Sequence, residues 1–106
     1  MTIGKPLIYG YMRAYDVTPD VEVMREELHL FRWAQARGYD LVAVYQEVEE
    51  GSIDVLTELV EELRRTGSRA VLVPSIEHFG TSHPLQDNLW AHVVHNARAE
   101  VHEVNQ

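Results

Sequence analysis

The sequence predicts one α/β domain, three layers deep, with helices on both faces of a mainly parallel sheet of four or five strands. Three observations predict it. The apolar runs at residues 7–12, 41–45 and 70–73 are too continuous for strands that show one face to water. Stretches with three- and four-residue apolar spacing alternate with those runs, the signature of βαβ units. The length, 106 residues, suits a single domain spanning 1–106, and no repeat, linker or low-complexity tract divides it.

The first run is short, apolar and aromatic, as a buried strand is. Thr18, Pro19 and Asp20 mark a helix start: a hydroxyl placed to cap, a proline in the first turn and acids at the positive end. Val21, Met24, Leu28 and Phe31 form an apolar helical stripe, the side expected to face the core, and Gly38 supplies a left-handed cap. After the second strand, Gly51 and Ser52 lead into a helix whose Ile53, Leu56, Leu59, Val60 and Leu63 are expected to face inward, closed by Gly67. Pro74 stops the third strand. Ser82 and Pro84 open a third helix carrying Leu85, Leu89, Val93 and Ala97, and Ala99, Val101 and Val104 mark a short final strand. Function in such sheets gathers beyond the carboxyl ends of the strands. Of the loops at 13–18, 46–52 and 74–82 and the C-terminal end, the third is the longest and the expected seat.

Composition narrows the function classes. Seventeen acids against nine bases give a net charge of −8, and the bases are scattered apart from Arg64 and Arg65 with Arg69 just beyond. Arginines in a last helical turn suit the helix dipole. A chain of this charge lacks the basic stripe of an autonomous duplex binder, so DNA is admitted as a partner but disfavoured. There is no cysteine, no apolar run near the ~20 residues of a membrane span and no signal-peptide pattern, so a cytoplasmic protein is expected.

Several motifs fail on their residues. No Gly-rich phosphate loop or dinucleotide fingerprint is present. A phosphoreceiver would need paired acids after the first strand, where Asp16 stands alone, and an aspartate where the third strand ends in Pro74 and Ser75. His92 and His95 can share a helix face but lack a third metal ligand. Glu47, Glu49, Glu50 and Asp54 read as a solvated acidic loop at a helix start, not as a hard-cation site. Ser75 and Ser82 have neither a nucleophile elbow nor a placed base. No cofactor and no metal are expected.

Two segments carry a resemblance. Tyr9-Gly10-Tyr11-Met12-Arg13-Ala14-Tyr15 resembles the opening motif of serine recombinases (resolvases and invertases), a strand reading G-Y-x-R-V-S. Ala70-Val71-Leu72-Val73-Pro74-Ser75-Ile76-Glu77-His78-Phe79-Gly80-Thr81 aligns without a gap on that family's apolar strand followed by L-D-R-L-G-R. Ala36-Arg37-Gly38-Tyr39 matches the family's first helix end, and Glu50-Gly51-Ser52 stands for its S-G stretch. The resemblance spans nearly the whole chain. It implies a resolvase-like sheet of flavodoxin-like topology and DNA strand cleavage through a phosphoserine link. It also implies that the family's long dimerisation helix and helix-turn-helix module lie beyond what this sequence contains.

The site it implies is degenerate. Arg13 matches the first active-site arginine, but Tyr15 takes the nucleophilic serine's place and Pro19 that of a glutamine. Glu47 and Glu77 keep carboxylates, while His78 and Thr81 replace two arginines. The family's arginine forks hold the charge that gathers on phosphate oxygens in the transition state. One such arginine is worth roughly 10³–10⁵ in rate. A phenol at Tyr15 sets its oxygen well beyond a serine hydroxyl, where displacement by about 1 Å already costs ~10²-fold. The expected function is therefore a catalytically inactive recombinase-like scaffold, a pseudoenzyme working by protein partnership or self-association. Its expected surface is Arg13, Tyr15, Glu47, Glu77, His78 and Thr81. The alternatives are a divergent recombinase or DNA-binding accessory component and, more weakly, an anion-binding domain at Arg13.

Overall fold

Strands and helices alternate along the chain: β1 (Leu7–Arg13), α1 (Asp20–Ala36), β2 (Asp40–Glu47), α2 (Asp54–Thr66), β3 (Ala70–Val73), α3 (His83–Ala97) and β4 (Glu100–Glu103). This is a computed structural model, and it describes residues 4–14, 18–49, 52–75, 78 and 83–104. The four strands lie in the order β2-β1-β3-β4, all parallel. The order reverses between β1 and β3, so α1 packs on one face while α2 and α3 pack on the other.

Alternation along the two inner strands sorts side chains between these layers. Tyr9, Tyr11, Val71 and Val73 meet Leu56, Leu59, Leu63, Leu89 and Val93 of α2 and α3. Ile8, Met12, Ala70 and Leu72 meet Leu30 and Ala34 of α1. Gly10 lets α1 come close: a Cβ there would stand 3.1 Å from Val44 Cγ2 and 3.2 Å from Leu30 Cδ1. Gly67 takes the left-handed conformation at the α2 C-cap, where its N–H reaches the Leu63 carbonyl at 2.9 Å.

The α1 face is only partly covered, for a dimensional reason. Four strands span roughly 15–20 Å, and one helix is about 10 Å across. Toward β4 the remaining width is filled by Trp33, Tyr39 and His102, with the Trp33 and His102 ring centroids 5.2 Å apart. Toward β2 it stays open. The stripe expected to face the core is exposed there instead: Val21, Met24, Leu28 and Phe31 are 62%, 68%, 44% and 46% accessible. Close approach at Gly10 favours the side of α1 that carries Leu30 and the small Ala34, which leaves the bulkier stripe outside.

Four smaller expectations are also corrected. Pro19, not Thr18, is the N-cap of α1, with its carbonyl accepting from Glu22 and Val23, and no side chain among the described residues makes the cap bond. Ile53 is the exposed N-cap of α2, and Leu85 is exposed on the first turn of α3. β2 is an edge strand with Val42 and Ala43 exposed beside a bulge opposite Ile8 and Gly10.

Tyr9 is buried and donates to Glu62 Oε2 at 3.0 Å, and its ring lies 6.1 Å from that of Tyr45. Burial first, and the Glu62 charge after it, raise both phenols above their ordinary value. A raised phenol contributes stability that is complete below the unfolded value of about 10 and is lost as pH rises through the folded value. Thermal midpoints should therefore fall steeply above about pH 10, and less steeply in Tyr9→Phe. A profile that stays level through that range would contradict this account.

Candidate functional site

The carboxyl ends of β1 and β2 meet the start of α2, and one side chain organises the meeting. Glu47, the last residue of β2, is 1% accessible. Its Oε1 accepts from the Tyr11 hydroxyl at 3.1 Å and the Leu56 N–H at 3.2 Å, and its Oε2 accepts from the Val55 N–H at 3.1 Å. Those two amides belong to the first turn of α2, which has no cap from its own N-cap residue. A carboxylate there answers both the orphan donors and the positive helix end. Three donors offset the cost of burying it.

Arg13 ends β1 beside this junction, paired in register with Glu47. Its guanidinium points at main-chain carbonyls: Nε donates to the His78 carbonyl at 2.7 Å and Nη1 to the Ser52 carbonyl at 3.0 Å. Its backbone N–H donates to His78 Nδ1 at 2.9 Å, so that ring nitrogen presents a lone pair and not a proton. The His78 N–H in turn donates to the Ser75 carbonyl at 3.1 Å. The chain after β3 is thereby tied to the end of β1.

A cavity of ≈ 270 Å³ opens on the α1 side of this lock, lined by Met12, Arg13, Thr18, Glu22, Val23, Arg25, Glu26 and His78. Its charges are mixed, with Arg13 and Arg25 facing the same space as Glu22 and Glu26. Glu26 Oε2 is buried there with no hydrogen-bond partner among the described residues.

Of the residues the sequence nominates, Arg13 and His78 meet directly, and Glu47 lies beside them with its carboxylate turned into the core. Tyr15, Glu77 and Thr81 lie outside the described residues. Ser52 contributes through its carbonyl. The sequence reading missed Tyr11, Glu22, Arg25 and Glu26. The last three carry a usable signal, since three- and four-residue spacing in the first turns of a helix that begins at a strand-end crevice aims them into it. Tyr11 carries a weaker one, a phenol on a buried strand that needs an acceptor.

Other sequence candidates fall elsewhere. His92 Nδ1 lies 2.6 Å from Asn96 Nδ2, and no group of three metal-binding side chains occurs among the described residues. Arg65 forks onto Glu62 at 2.7 and 2.8 Å on an exposed surface, where solvent and salt screen most of the attraction. Among the described residues no helix is long and apolar enough to cross a membrane.

No protein-family model and no curated protein matches the sequence. Solved structures do. The C-terminal catalytic domain of ISC1926 TnpA, an IS607-like serine recombinase, superposes with a TM-score of 0.76 at 16% identity, covering 94% of this chain and 69% of that one. The N-terminal catalytic domain of TP901-1 integrase gives 0.76 at 15% identity, covering 92% of this chain and 76% of that one. The chain has the serine recombinase catalytic fold. The Arg13–His78–Glu47 junction lies at the carboxyl ends of the strands where their order reverses, the place at which such sheets form a crevice.

Glu47→Gln would keep one acceptor and turn an amide N–H toward a backbone donor. It should lower unfolding stability by about 1–3 kcal/mol in urea titrations, and Glu47→Ala should cost more because three donors lose their acceptor. Unchanged midpoints would show that the junction does not depend on this carboxylate.

Proposed function

We propose that the chain is a serine-recombinase-type scaffold that acts by binding protein, including its own copies, and does not cut DNA. The observation that supports this most is the use of the Arg13 guanidinium. Phosphate recognition needs the donor fork turned outward to the substrate oxygens, whereas two of its arms are already bonded to the carbonyls of His78 and Ser52. Arg25 is the other guanidinium on the cavity, and Glu22 and Glu26 set negative charge against an entering phosphodiester. Without several converging cations, the barrier to phosphoryl transfer rises by roughly 4 kcal/mol or more for each one missing. A cytoplasmic setting belongs to the same proposal, in keeping with a chain that has no cysteine.

One observation favours a second reading, a DNA-contacting accessory component. At the amino ends of the strands, Arg64, Arg69 and Arg98 line one cleft with His95. Arg64 and Arg69 flank the Gly67 turn, and the fold brings Arg98 to them. This is a more concentrated positive surface than the sequence order implies.

Incubation with supercoiled plasmid, followed by denaturation and proteolysis, separates these readings. The scaffold reading expects no nicking, no covalent adduct and no salt-sensitive duplex binding. A DNA–tyrosine adduct that disappears in Tyr15→Phe would overturn it. Binding that weakens steeply between low and physiological salt, and is lost in the Arg64→Glu, Arg69→Glu, Arg98→Glu triple variant, would establish the accessory reading instead.

A further inference from the structure

The open side of α1 has the pattern of a dimer seam. Val21, Met24, Leu28 and Phe31 recur at steps of three, four and three, which are alternating a and d positions of two heptads, and all four are exposed. With Leu41 and Val44 of β2 they line an apolar groove of ≈ 680 Å³ flanked by Arg25 and Glu27. Scattered exposed apolar residues need no explanation, but a continuous stripe along a helix beside an uncovered strip of sheet does.

The charges along the stripe say which occupant fits. If Val21 and Leu28 are a positions, Asp20 and Glu27 fall at g, and Arg25 and Arg32 at e. In a parallel pair of helices each g residue faces the e residue five positions on in the other helix. Two copies of α1 side by side then set Asp20 against Arg25 of the second copy and Glu27 against Arg32 of the second copy, and two-fold symmetry repeats both pairs. An antiparallel pair would instead set e against e and g against g, placing arginine against arginine and acid against acid. We infer that α1 is a homodimerisation helix: two copies associate with their α1 helices parallel, each helix seated in the other's α1–β2 groove. Seated so, the second α1 supplies the width of helix that one α1 cannot lay over this face of the sheet.

This inference deepens the proposed role in protein contact, yet the two can fail separately. DNA cleavage would overturn the scaffold reading and leave the dimer, and a monomer would overturn the dimer and leave the crevice as described.

Sedimentation equilibrium on the whole chain, from micromolar to near-millimolar concentration, should show a monomer–dimer equilibrium. Leu28→Glu and Met24→Glu alter exposed positions, so they should keep the native circular dichroism while abolishing the dimer. Glu27→Arg should weaken it about tenfold, the scale of two symmetry-related surface ion pairs lost and reversed. Adding Arg32→Glu to Glu27→Arg should restore it. A monomer at every concentration, or a dimer indifferent to Leu28→Glu and Met24→Glu, would overturn the inference. A dimer strengthened by Glu27→Arg alone would overturn the parallel arrangement.

Discussion

The buried carboxylate of Glu47 joins three elements by three hydrogen bonds, taking the Tyr11 hydroxyl of β1 on one side and the Val55 and Leu56 amides of α2 on the other. Much of the crevice follows from it. Fixing the first turn of α2 fixes the segment just before that turn, and with it the Ser52 carbonyl to which Arg13 donates. The Ala14 N–H donates to the Glu47 carbonyl at 3.0 Å, which holds the chain leaving β1 against the end of β2. The side chain that the family resemblance marks only as a retained negative charge is thus the keystone of a strand–helix junction.

The second constraint is width. A parallel sheet whose strand order reverses once receives α1 alone on one face and α2 with α3 on the other. The two-helix face buries its apolar residues well, as the fully buried Leu56, Leu59 and Val93 show. The one-helix face closes toward β4 with an aromatic cluster and leaves a groove toward β2. The crevice and the groove therefore have different origins. One is locked by hydrogen bonds at the strand ends, and the other is left open by a missing helix's breadth.

Much of this was legible in the sequence because it depends on local pattern. Continuous apolar runs identified β1 and β3, helical spacing identified α2, and Gly38 and Gly67 sat at positive φ as caps require. What the sequence misplaced depends on tertiary choice. α1 has two sides apolar enough to face a core, and the close approach at Gly10, a tertiary contact, favours Leu30 and Ala34 over Leu28 and Phe31. Arg13 could be named from the resemblance, but its engagement with two carbonyls could not, since those acceptors lie 39 and 65 positions away. For the same reason the meeting of Arg98 with Arg64 and Arg69 was hidden among scattered bases.

The central claim is that the Arg13 guanidinium serves the protein's own backbone and not a substrate phosphate. The most direct measurement is the Arg13 Nε–H resonance in ¹⁵N-labelled protein, assigned by its loss in Arg13→Lys, followed while inorganic phosphate and then duplex DNA are added in excess. The account predicts a proton that exchanges slowly with water and keeps its shift through both titrations. A resonance that moves and saturates with either anion would contradict it, because the fork would then be free to clasp phosphate.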